Sequence, residues 1–287
     1  MHAHPIRGEA NACTQVHLFG RSRGGLSRSA IIDTLARRLP YSVTTGGAEA
    51  LQQMHRIAEL RLNDLLGVVP TAGRTLLAQS DMLARWSDDD QGLTCAFTTL
   101  AHQAVAAQSR QWREAPGLQS HIDTFGSVIG RYPSDRPDAA TLTIGARYDI
   151  VRDAEKFHGR LGNLLPITAL QGLRRCRQHL RFHVEVIGFS EEDGVRFKGT
   201  FLGSSAVAGH VDERVLVHSG ADDIAPRAAF NEAGYDLSQI ASIVLDSDKL
   251  LGCLEVYIEQ GPALLEQALP LGAVSAINGS CRYALTP

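Results

Sequence analysis

The chain has 287 residues, 44% of them hydrophobic and 21% charged, with a formal net charge of -3. That length buries a sizeable core in one or two domains, and the composition is ordinary for a globular protein. The balance of charge gives no electrostatic draw toward nucleic acid or an anionic membrane, and no apolar run approaches a bilayer span. The opening stretch, MHAHPIRGEANACTQ, lacks an apolar secretory core, so the expected compartment is the cytoplasm. Cys13, Cys95, Cys176, Cys253 and Cys281 are scattered and never form a C-x-x-C pair. Their pattern predicts reduced thiols instead of a disulfide framework or a cysteine zinc site.

Val16 to Phe19 reads as a short extended piece, followed by an RSRGG turn. Beyond Ser27, Ile31, Ile32, Leu35 and Leu39 recur at helical spacing, with Ser27 or Ser29 as N-cap. After the TTGG break, Glu49 to Leu66 carries a stronger apolar stripe through Leu51, Met54, Ile57, Leu60, Leu62 and Leu65. Gly67 stops it. Together these predict an N-terminal helical hairpin, which needs a partner surface.

The runs GLSRSAIIDTLARRL and EALQQMHRIAELRLNDLLG resemble the C-terminal end of 2-oxo-4-hydroxy-4-carboxy-5-ureidoimidazoline (OHCU) decarboxylase, an all-α enzyme of urate breakdown. The resemblance implies a remnant over residues 1–69, without that family's catalytic part. His55, inside the stripe, reads as an ordinary helix residue.

Val68 to Thr71 reads as a linker, because Pro70 disfavours helix just before it. Thr75 to Trp86 and Phe97 to Glu114 are predicted helices, and Ser120 to Thr124 and Ser127 to Arg131 predicted strands. Ala140 to Arg147 predicts a strand leading into Tyr148-Asp149, then a helix runs from about Leu161 to Arg175. Arg181 to Phe189 predicts a core strand, rich in β-branched and aromatic residues, and a short helix follows near Ser204 to Ala208. Alternating strands and helices argue for an α/β sheet with helices on both faces. The strand ends in Glu191-Glu192-Asp193, carboxylates at the carboxyl edge where such sheets gather ligands. Alone, an acidic triplet is also a solvated turn.

A second resemblance covers residues 74 to the end. GARYDIVRDAEKFHGRLGNLLPI, EVIGFSEEDGVRFKGTFLGSSAVAG and LEVYIEQGPALLEQALPLGAVSAING resemble the metal-dependent amidohydrolases that include allantoate amidohydrolase, N-carbamoyl-L-amino-acid hydrolase and β-ureidopropionase. It implies a zinc-exopeptidase-like three-layer α/β domain over residues 70–287, incomplete, with the lid and dimerisation domain of the family's homodimers missing. It implies hydrolysis of a linear C–N bond in a small ureido or carbamoyl substrate, using two zinc or manganese ions. Glu191 matches the general base, Glu192 a metal ligand, and Asp149 the aspartate that orients a ligating histidine. Both resemblances name steps of purine catabolism, so a fusion is sensible.

The other ligand positions differ. Arg147 stands where the family has its first histidine; it is always protonated and donates only. His158 replaces the bridging aspartate, and Tyr257 another histidine. The pattern implies a degenerate metal site. If Arg147 points inward, it supplies fixed charge among Asp149, Glu191 and Glu192 with His158 as hydrogen-bonding neighbour; otherwise it turns to solvent. Ser204 and Ser205 read as small packing residues, and Asp246-Ser247-Asp248 as a turn. The function reading is thus an allantoate or N-carbamoyl-amino-acid hydrolase by resemblance, or a non-catalytic fragment that binds a carboxylate ligand or a partner.

Overall fold

The structure, a computed structural model, describes residues 17–18, 69–115, 117–197, 199–211, 213–216, 224–269, 272 and 274. The helical hairpin expected before residue 68, His55 included, lies outside them. A short strand β1 (His17–Leu18) is followed by α1 (Val69–Leu83), α2 (Leu100–Glu114), β2 (Gln119–Ile122), β3 (Val128–Tyr132), β4 (Thr141–Arg147) and α3 (Arg160–Arg175). Then come β5 (His183–Phe189), α4 (Leu202–Val207), α5 (Pro226–Glu232), β6 (Leu250–Val256) and α6 (Ala263–Glu266).

Helix α1 begins at Val69, inside the stretch expected to be a linker. Pro70 therefore sits in the first turn, where its missing N–H has no intrahelical partner to lose. Helix α2 starts later than its periodicity suggests, because the Thr99 hydroxyl accepts the His102 N–H (3.2 Å) and caps it. Three elements escaped the sequence reading: β6, whose Leu250-Leu251-Gly252-Cys253-Leu254 lacks alternation, α5, with Pro226 in its first turn, and the short α6.

Five strands form a mixed sheet in the order β6-β4-β5-β3-β2, and β1 lies along the outer edge of β6. Strands β4, β5 and β6 are parallel; β3 runs antiparallel to β5, and β2 antiparallel to β3, so β2 again points the way of the parallel set. Val186 and Ile187 of β5 are fully buried, each stabilising the fold by roughly 1.5–3 kcal/mol. Helices α2 and α3 share one face: Arg113 of α2 donates to Asn163 Oδ1 of α3 (2.9 Å) above Gly188. Helix α1 joins the same core through Leu76 and Leu83.

Candidate active site at the carboxyl ends of the parallel strands

The parallel strands β4, β5 and β6 end on one side of the sheet, so the residues that follow them become neighbours. Arg147 ends β4, Tyr257 follows β6, and Ser190-Glu191-Glu192 follows β5. The start of α3 pulls the first two together. Gly159 has φ +70°, and a side chain there would strike Arg147. Gly162 lies against the Val256 carbonyl and Ala146, too close for a β-carbon. Asn163 Nδ2 donates to the Ala146 (2.8 Å) and Arg147 (2.9 Å) carbonyls, tying the helix to the end of β4.

Arg147 points inward. Its Nη2 donates to both His158 Nε2 and the Tyr257 hydroxyl, and its Nε lies 2.7 Å from Asp193 Oδ2. The last is an ionic contact without an aligned hydrogen bond, since neither atom has a hydrogen-bond partner. The guanidinium also stands 4.9 Å from the centroid of the Tyr257 ring, whose π face attracts the charge. Burial first, and Arg147 second, push the His158 pKa down to about 4. At neutral pH the imidazole is therefore uncharged and its Nε2 accepts. Burial raises the Tyr257 phenol above its ordinary value, so it stays protonated.

The β5 end is more enclosed. Glu191 is fully buried with φ +50°, a left-handed conformation rare outside glycine. The Leu202 N–H donates to its carbonyl (3.0 Å), and the Phe197 N–H to its Oε1 (3.2 Å). Its Oε2 has no hydrogen-bond partner among the described residues. Glu192 is doubly engaged: Oε1 accepts the Ser204 N–H (2.8 Å) and Oε2 the Ser204 hydroxyl (2.9 Å). The expectation that Ser204 only packs missed this clamp. Gly203 is required beside it, because a β-carbon would meet the Ser190 backbone. Burial pushes both glutamates up to about 7. Asp149 is 1% exposed, and its pKa is well above the carboxylate range through burial, then through Glu191, Asp193 and Glu192. Its Oδ1 also has no hydrogen-bond partner among the described residues.

The structure thus brings together Asp149, Glu191, Glu192, Arg147, His158 and Tyr257. It adds Asp193 as the arginine's counter-ion, and Glu255, which raises the Glu192 pKa and is itself pushed up to about 7 by burial. Sequence carried a signal for Glu255: it is two residues before Tyr257 and shares its face of the strand. Asn163 and Ser204 gave no such signal.

The residues do not fit a bound divalent cation. A guanidinium fills the space between His158 and Tyr257, and both Glu192 oxygens are already taken by Ser204. Among the described residues, no three His, Cys, Asp or Glu side chains form a group able to hold a metal ion.

The fold is shared with solved amidases of the hydantoinase/carbamoylase family. The chain matches AtUAH, solved in complex with (S)-hydroxyglycine, with TM-score 0.63 and 24% identity, over 68% of this chain and 48% of that one. An amidase of the hydantoinase/carbamoylase family from Burkholderia phymatum matches with TM-score 0.60 and 24% identity, over 68% and 46%.

In sequence, allantoate deiminase 2 from Glycine max is 36% identical over 208 residues, 71% of this chain and 43% of that protein. An N-carbamoyl-L-amino acid amidohydrolase from Geobacillus stearothermophilus is 31% identical over 184 residues, 64% of this chain and 45% of that protein. The chain is related, over part of its length, to the allantoate deiminase and N-carbamoyl-L-amino-acid amidohydrolase family. It spans less than half the length of these relatives. No protein-family profile matches the sequence.

Proposed function

We propose that this chain is a non-hydrolytic relative of the linear C–N amidohydrolases, in which a fixed guanidinium takes over the charge balance that two divalent ions supply in the family. The observation that carries it is Arg147, bound to His158 and Tyr257 and paired with Asp193. A cation entering that space meets a like charge and finds Glu192 committed to Ser204. A carboxylate ligand is a weaker reading than a partner-binding or structural role, because it competes with Asp193 for the arginine in a site crowded with acids. The N-terminal stretch to residue 69 is carried in this proposal as a remnant of the decarboxylase type.

The competing reading is hydrolysis of allantoate or an N-carbamoyl amino acid, with Glu191 activating water. The retention of Asp149, Glu191 and Glu192 favours it. Elemental analysis of purified protein, combined with ammonia release from allantoate and N-carbamoyl amino acids in zinc or manganese, separates the two. The proposal expects substoichiometric metal and no turnover. Stoichiometric metal or measurable product overturns it. The R147H/H158D/Y257H variant is expected to gain metal that the parent lacks.

A further inference from the structure

The outer strand β6 is apolar in sequence yet weakly covered. Leu250, Leu251, Cys253 and Leu254 are all only half-buried, whereas most positions of β4 and β5 are buried. An apolar edge strand with free N–H and C=O groups is a template for pairing with another chain unless something covers it. Here β1 lies along it in parallel, with His17 opposite Glu255 and Leu18 opposite Val256. Those two positions are the last of β6, and Tyr257 comes next. The backbone that presents Tyr257 to Arg147 is therefore held on one side by β4 and α3, through Gly162, and on the other by β1.

We infer that the pairing of His17–Leu18 with Glu255 and Val256 fixes the end of β6 from which Tyr257 reaches Arg147. The occupant is this chain's own segment, because the pairing runs within one chain and ends where the site begins. The inference does not depend on whether the site hydrolyses anything: it concerns backbone pairing, and metal content or turnover neither supports nor undermines it.

Amide hydrogen exchange on the full chain tests it without any variant. The Leu18, Glu255 and Val256 amides are expected to exchange at least about tenfold more slowly than unstructured ones. Random-coil exchange at His17 and Leu18 overturns the inference. Leu18→Pro removes a backbone N–H that the ladder can use, while Leu18→Ala keeps it. Proline is expected to speed exchange at Glu255 to Tyr257 by about tenfold or more and to leave β5 amides unchanged, with alanine near the parent. Unchanged β6 exchange in Leu18→Pro sinks the inference, as does equal loss of protection in the alanine variant.

Discussion

The two sides of the cleft solve the same problem in opposite ways. Past β5, two buried glutamates are held by backbone and hydroxyl donors: Phe197 N–H on Glu191, and Ser204 N–H and hydroxyl on Glu192. Past β4 and β6, beside the buried Asp149, stands an arginine stacked on a tyrosine and bonded to a neutral histidine. One side collects negative charge in low dielectric; the other supplies the positive charge that makes this tolerable. The lesson is that acidic residues near a strand end do not by themselves define a cation site. What stands opposite them decides whether the compensating charge is a bound ion or part of the chain.

The strongest way to break the comparison is to remove the arginine. Arg147→Ala leaves Asp193, Asp149 and Glu192 without their shared counter-charge and is expected to lower unfolding free energy by roughly 3–5 kcal/mol in urea titration. Arg147→Lys should recover only part, because an ammonium cannot stack and fork at once. A near-neutral alanine variant would mean that the two sides are not electrostatically joined.

Gly162→Ala attacks the geometry. A methyl there meets the Val256 carbonyl and Ala146, so α3 must lift from the ends of β4 and β6. The expected cost is about 1–3 kcal/mol, read from the denaturation midpoint.

The pH response sharpens the same contrast. Glu191 and Glu192 rise from an ordinary 4.5 to about 7 on folding. The folded chain keeps protons that the unfolded chain releases, so their stabilising effect is full below about 4.5 and is lost as pH rises through 7. His102 and His158 act oppositely, because burial lowers them from 6.5 to about 3 and about 4. Their contribution is complete above 6.5 and lost in acid. Between pH 6.5 and 8 only the carboxylates change, so the melting temperature should fall, with a loss on the order of 1 kcal/mol. The Glu191→Gln, Glu192→Gln double variant should make that slope shallower, with Glu255 carrying a remainder; an unchanged slope would place its origin elsewhere.

The mildest test is Ser204→Ala. It deletes one hydroxyl bond to Glu192 while the Ser204 N–H remains, for an expected loss of about 1 kcal/mol by chemical denaturation.

Much of the fold was legible in sequence. The strand expected over Ala140–Arg147 is β4 (Thr141–Arg147), and the helix expected from Leu161 is α3 (Arg160–Arg175). Strand β5 also falls within its expected span. These segments carry strong periodicity or β-branched runs, and local sequence controls such elements. Strand β6 did not announce itself, because its Leu-Leu-Gly-Cys-Leu run lacks alternation and is a strand only by pairing with β4. Helix α1 overran the expected linker, because proline is as acceptable in a first turn as it is before a stop.

By itself, the sequence determined the order of strands and helices, the acidic stretch after the core strand, and the residue types at Arg147, His158 and Tyr257. Hydrophobic periodicity and side-chain chemistry are local properties, written residue by residue. Only the tertiary structure decided that Arg147 turns inward to meet His158, Tyr257 and Asp193, that Ser204 claims both oxygens of Glu192, and that His17–Leu18 lies beside β6. Those contacts join residues as much as 238 positions apart, as His17 and Glu255 are. No local rule encodes such a meeting, because it depends on where the sheet and α3 bring the strand ends.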